Sequence, residues 1–153
     1  MSEARKFKVL FLCSHNSARS QMAEALLRHY SPERFETYSA GLEPSEVNPY
    51  TRKALDELGL DMEGQYAKSL LDFWGGKHHF TYLITVCDKA EAKCPLFPFA
   101  THRLYWPFED PSSFQGTDAE KLEKFRQVRD QIAAKIREWV RELEASGLLA
   151  GRV

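Results

Sequence analysis

The stretch Cys13-Ser14-His15-Asn16-Ser17-Ala18-Arg19-Ser20 constrains this chain more than any other. Ahead of it, Lys8-Val9-Leu10-Phe11-Leu12 is a short apolar run of strand formers, which predicts a buried strand. Behind it, Gln21-Met22-Ala23-Glu24-Ala25-Leu26-Leu27-Arg28 carries helix formers with apolar residues at helical spacing. The octet therefore closes a strand and opens a helix. The first N–H groups of a helix have no internal partner and carry the positive end of its dipole, so they form an anion cradle. A cysteine at the lip of that cradle, with a guanidinium nearby, is expected to shed its proton readily and to act as a nucleophile at neutral pH. Arg19 can swing back over the loop and offer a planar fork of donors to a tetrahedral oxyanion. Ser17 and Ser20 have hydroxyls short enough to reach the Cys13 sulfur, and Asn16 tolerates a left-handed loop conformation. Alone, Cys13 would read as a core cysteine and Arg19 as a solvated helix residue; packing gives no reason for Cys-x5-Arg-Ser between a strand and a helix.

Length and charge narrow the rest. A chain of 153 residues, 43% hydrophobic, predicts one domain over 1–153 with a single core. A net charge of −1 supplies no global field for nucleic acid, and no apolar run reaches the length of a membrane span. Met1-Ser2-Glu3-Ala4-Arg5-Lys6 lacks the apolar stretch of a signal peptide, so a cytoplasmic protein is expected. Three cysteines in such a chain point to catalysis, redox chemistry or metal rather than to a disulfide framework.

Further along, Phe35–Ala40 alternates like a second strand ending at Gly41. Asn48-Pro49 supplies a cap and a pre-set first residue for a second helix, with Ala54, Leu55 and Leu58 as its stripe and Gly59 as its stop. Ser69–Trp74 predicts a short helical turn, Phe80–Val86 a third strand delivering Cys87 at its end, and Arg103–Trp106 a fourth strand ended by Pro107. His78 and His79 are expected at the start of the third strand. Thr117 and Glu120 form a capping box for one long helix whose buried stripe runs Leu122, Phe125, Val128, Ile132, Ile136, Val140 and Leu143, with Gly147 closing it. Strands alternating with helices predict an α/β fold, a small doubly wound four-stranded parallel sheet with helices on both faces; the strand order expected for it is 2-1-3-4, which sets strand three beside strand one. Ligands of such sheets sit beyond the carboxyl ends of the strands, where Cys13, Cys87 and the segment after strand four all lie.

Cys-x5-Arg followed by Ser is the signature loop of the cysteine-based phosphatases, and its place at the chain start makes the sequence resemble the low-molecular-weight protein tyrosine phosphatase family. Thr85-Val86-Cys87, Cys94-Pro95 and Ser20-Gln21-Met22-Ala23-Glu24 further resemble the thioredoxin-coupled arsenate reductases, which use the same fold with two extra cysteines. Asp110-Pro111 resembles the Asp-Pro of both families, where the aspartate is the general acid; a solvated turn aspartate is the plain alternative. An aromatic usually follows Asp-Pro in the phosphatases, where this chain has Ser112; His15 stands where they usually have Gly, and Gln21 where they have Pro. All three departures favour a small inorganic oxyanion.

The resemblance implies an arsenate reductase in which Cys13 attacks arsenic and Ser14, His15, Asn16, Ser17, Ala18, Arg19 and Ser20 bind the oxyanion. Asp110 would protonate the departing oxygen, Cys87 would form a disulfide with Cys13, and Cys94 would resolve it for reduction by thioredoxin. Phosphate and sulfate are expected competitors of arsenate, and no tightly bound cofactor or metal is expected. Some family members hold potassium through residues equivalent to Asn16, Glu24 and Ser39, but the further acidic ligand expected near Lys68-Ser69 is missing, and Lys68 could supply the positive charge instead. Two alternatives stay open: a phosphatase using only Cys13, Arg19 and Asp110 on phosphomonoesters, or Cys87 and Cys94 binding zinc with His78 or His79. The short paired spacings of structural zinc sites are absent.

Overall fold

The computed structural model describes residues 6–62, 64–75, 78–87 and 97–147. Four strands, β1 (Phe7–Cys13), β2 (Phe35–Gly41), β3 (Phe80–Thr85) and β4 (Ala100–Tyr105), form one sheet in the order β2-β1-β3-β4. Every pairing is parallel, as the alternation of strands and helices predicts. The register sets Cys13 against Gly41 and Leu12 against Thr85, so the ends of β1, β2 and β3 share one edge.

Three helices, α1 (Arg19–Tyr30), α2 (Pro49–Asp56) and α3 (Asp118–Ala145), all contribute to one core cluster with Val9, Phe11, Tyr82 and Ile84 of the sheet. The opposite face, with Leu10, Leu12, Phe80 and Leu83, is covered by a 3-10 turn over Leu70–Phe73 and by Phe97. Helical cover does lie on both faces, but unequally. The connection from β2 to β3 is split: α2 stays beside α3, tied to it by Glu57 with Arg126 and Arg129, and only the later 3-10 turn crosses to the other face. Aromatic rings do the rest of the covering there, with Tyr38 and Phe73 edge-on to Phe80 and His78 stacked on it.

Local signals account for the element ends. Asn48 accepts from Tyr50 N at the start of α2, and Pro49 occupies its first position. Thr117 and Glu120 close a capping box on α3, and Ser69 and Asp72 close another on the 3-10 turn. In α3, Phe125, Val128, Ile132, Ile136 and Leu143 are buried as the spacing predicts, each worth roughly 1.5–3 kcal/mol relative to exposure. Leu122 and Val140 are only half-buried, while Trp139 and Arg129 join the buried face. Leu58 is exposed, because α2 ends at Asp56 before the stripe can reach it. His78 accepts from Lys8 Nζ at 3.3 Å and His79 is hydrogen-bonded to Thr101 at 2.8 Å, so both brace the start of β3 against its neighbours.

Candidate active site

The loop from Cys13 to Ser20 has its carbonyls tied outward. Glu43 N donates to Ser14 O at 2.8 Å and Ser45 N to His15 O at 3.0 Å. Asn48 N and Thr51 Oγ1 both donate to Ser17 O, at 3.0 and 2.9 Å. A trans peptide points its N–H opposite to the preceding C=O, so the N–H groups of His15, Asn16 and Ala18 face the other way, into the loop. Asn16 N reaches the Cys13 sulfur at 3.2 Å. Ala18 gives α1 no side-chain cap and the first turn holds no acid, so the positive helix end opens on the same space.

Asn16 carries the one left-handed backbone among the described non-glycine residues, φ 52°, and is fully buried. Its Oδ1 accepts from the backbone of Lys68 at 2.8 Å, which fixes the amide so that Nδ2 donates to Ser20 Oγ at 2.8 Å. Having accepted that bond, the Ser20 hydroxyl can turn its own hydrogen to the Cys13 sulfur, 2.8 Å away. Gln21 supports Asn16 from behind at 2.9 Å, and Gln65 in turn holds Gln21 at 2.8 Å. Gly41 closes the back of the loop: a Cβ there would lie 2.8 Å from Asn16 N and 2.9 Å from Ser14 O. Nothing in the sequence announced Gln65 or the contact at Gly41, since both depend on segments far apart in the chain.

Arg19, 3% exposed, donates from Nη1 to Phe108 O at 3.1 Å and lies 3.5 Å from Val86 O, which holds its plane under the end of β3. Its Nη2 stands 3.7 Å from Asp110 Oδ2. Cys13, His15, Ser17, Ala18, Arg19 and Asp110 line one small recess. His15 is exposed at the rim and donates from Nδ1 to Glu43 O at 3.0 Å. The segment carrying Asp110 is fastened to α3, where Lys124 pairs with Glu109 at 2.5 Å and lies over the Phe114 ring.

Beyond β3, Val86 N still pairs with Leu12 O at 2.9 Å, so the fully buried Cys87 follows directly on the edge that holds Cys13. Cys94 lies outside the described residues. Asn16, Glu24 and Ser39 gather behind the loop: Ser39 donates to Glu24 at 2.5 Å, Arg28 pairs with Glu24, and Lys68 Nζ stands 3.6 Å from it. A fixed ammonium thus occupies the surroundings of Glu24. Burial pushes the Lys68 amine below its ordinary value, while Glu24 pulls it back up.

A parallel sheet ordered β2-β1-β3-β4 with Cys-x5-Arg between β1 and α1 defines a class, and the low molecular weight phosphotyrosine protein phosphatase family model matches residues 8–148. The chain belongs to that family. Within it, the chain is similar to an arsenate reductase of Shouchella clausii, 39% identical over 132 residues that make up 86% of this chain and 93% of the relative. Among solved structures it is similar to an arsenate reductase in a phosphate-binding state, 30% identical with TM-score 0.73, covering 90% of this chain and 98% of that one. It is also similar to the thioredoxin-dependent arsenate reductase of Corynebacterium glutamicum, 31% identical with TM-score 0.66, covering 92% of this chain and 63% of that one.

Proposed function

We propose that this protein reduces arsenate to arsenite, with thioredoxin as the final reductant. The observation that carries the reading is a second buried thiol, Cys87, on the same sheet edge as the cradled Cys13, in a chain whose curated relatives are arsenate reductases. A phosphatase needs only the first thiol.

The proposed sequence balances as follows. The Cys13 thiolate forms a bond to arsenic while an As–O bond breaks; Arg19 and the inward N–H groups hold the remaining oxygens, and Asp110 gives the departing oxygen its proton. The Cys87 thiolate then attacks the Cys13 sulfur. The S–As electron pair returns to arsenic, which leaves as arsenite, and the two sulfurs are oxidised to a Cys13–Cys87 disulfide. Cys94 attacks Cys87, frees Cys13, and leaves a Cys87–Cys94 disulfide whose two electrons are restored by a thioredoxin dithiol.

Arsenate-dependent NADPH consumption in the presence of thioredoxin and its reductase tests the reading directly. Cys87→Ser and Cys94→Ser should each stop turnover while leaving any hydrolysis of p-nitrophenyl phosphate intact. Normal turnover by Cys94→Ser would remove the cascade, and hydrolysis without arsenite formation in the unaltered protein would assign it to the phosphatases instead.

A further inference from the structure

Asp110 uses its two carboxyl oxygens differently. Oδ1 accepts two hydrogen bonds from one residue, Ser112: from its backbone N at 3.0 Å and from its hydroxyl at 2.6 Å. Oδ2 faces Arg19 Nη2 across the recess at 3.7 Å. The chain dictates the first of these. Pro111 has no N–H, so the first backbone donor after Asp110 belongs to Ser112, and Asp110 caps the 3-10 turn Pro111–Ser113 through it.

Resting on the arsenate reading above, we propose that Ser112 is a positioning residue that makes Oδ2 the proton-donating oxygen of Asp110. A backbone N–H can only donate, so a proton on Oδ1 would point at a hydrogen already there. A proton passing through this carboxyl is therefore placed on Oδ2, the oxygen beside the recess, where Arg19 Nη2 at 3.7 Å lies beyond hydrogen-bond distance and leaves room for it. When the As–O bond breaks, that proton passes to the departing oxygen, which leaves as water, and Asp110 becomes a carboxylate. The new charge is met at Oδ1 by both Ser112 donors, at a site fixed before the transfer. An aromatic residue in this position would keep the N–H and lose the hydroxyl.

Single-turnover arsenite formation by the pre-reduced protein tests this without involving thioredoxin. Ser112→Ala should slow the step about 10-fold, the effect of one lost hydrogen bond to a charged group, with the half-saturating arsenate concentration and competition by phosphate unchanged. Ser112→Thr, which restores the hydroxyl, should recover most of the rate. Asp110→Asn keeps an acceptor for Ser112 and hence the turn; in that background Ser112→Ala should change the rate less than 2-fold. The assignment is overturned if Ser112→Ala matches the unaltered protein, if it costs the same factor with and without Asp110, or if oxyanion binding weakens in parallel with the rate. An unaltered protein that forms no arsenite at all overturns the arsenate reading, and this assignment with it.

Discussion

The two walls of the recess are held by opposite means. The wall from Cys13 to Ser20 is fixed from the interior: its carbonyls are tied outward, and its one left-handed residue is buried and hydrogen-bonded to Lys68 N and to the side chains of Gln21 and Ser20. The wall carrying Asp110 is fixed by side chains at the surface, through Lys124 with Glu109 and through Ser112 with Asp110 itself. Buried fixing tolerates little change, because losing one partner leaves another polar group unpaired away from water, whereas a surface side-chain bond can be exchanged for water. The proposed nucleophile and oxyanion donors belong to the first wall. The proposed proton donor, whose needs differ with the leaving group, belongs to the second.

Substitutions at each wall sharpen the contrast, and the largest effect should come at the sulfur. Cys13→Ser should lower arsenite formation by on the order of 10³-fold or more, because a serine hydroxyl is a far weaker nucleophile near neutral pH; a residual rate within 10-fold would remove Cys13 from the chemistry. Asp110→Asn should cost about 10²-fold in rate with an unchanged melting temperature, since its loop is held from α3. Gly41→Ala should slow the reaction about 10-fold and also lower stability by about 1–3 kcal/mol, read as a melting-point drop of several degrees, because the new methyl meets backbone that cannot yield. Equal melting points for Gly41→Ala and the unaltered protein would show the two walls to be equally pliable.

Lys124→Ala should cost under about 1 kcal/mol and only a few-fold in rate, because its partner Glu109 is largely exposed. The smallest effect concerns Lys68. Its folded value lies below that of a free lysine, so between the two the folded protein binds fewer protons than the unfolded chain, and stability rises with pH across that window. Lys68→Met should flatten this alkaline rise in denaturant midpoints measured up to about pH 10.5.

The first wall was readable because its logic is local: Cys13, Asn16 and Arg19 lie within one loop, and strand, loop and helix patterns meet there. Parallel pairing followed from the alternation of elements. Asp110 was readable only through Asp-Pro, and the value of Ser112 only once its two bonds to Oδ1 could be measured. Gln65 supports the loop from 44 residues beyond Gln21, and Gly41 matters for what its missing Cβ would strike; neither constraint has a pattern in sequence. The unequal cover of the sheet was hidden for the same reason. Apolar spacing says that α2 buries a face, but not that this face meets α3, where Tyr50 packs on Phe125 and Glu57 pairs with Arg126 and Arg129.

Because the carbonyls of Ser14, His15 and Ser17 are tied to other protein atoms, the cradle keeps its shape whatever it holds. Little ordering entropy opposes binding, and the donors match any tetrahedral oxyanion of similar size and charge. Such a site is a poor judge of which central atom it has captured. On the proposed arsenate reading, phosphate, usually the more abundant anion, would occupy it much of the time, and discrimination would come afterwards, from whether the bond to sulfur can be broken by a second thiol with the electrons staying on the departing atom. Under cellular conditions, arsenate throughput would then track the ratio of the two anions rather than the concentration of either.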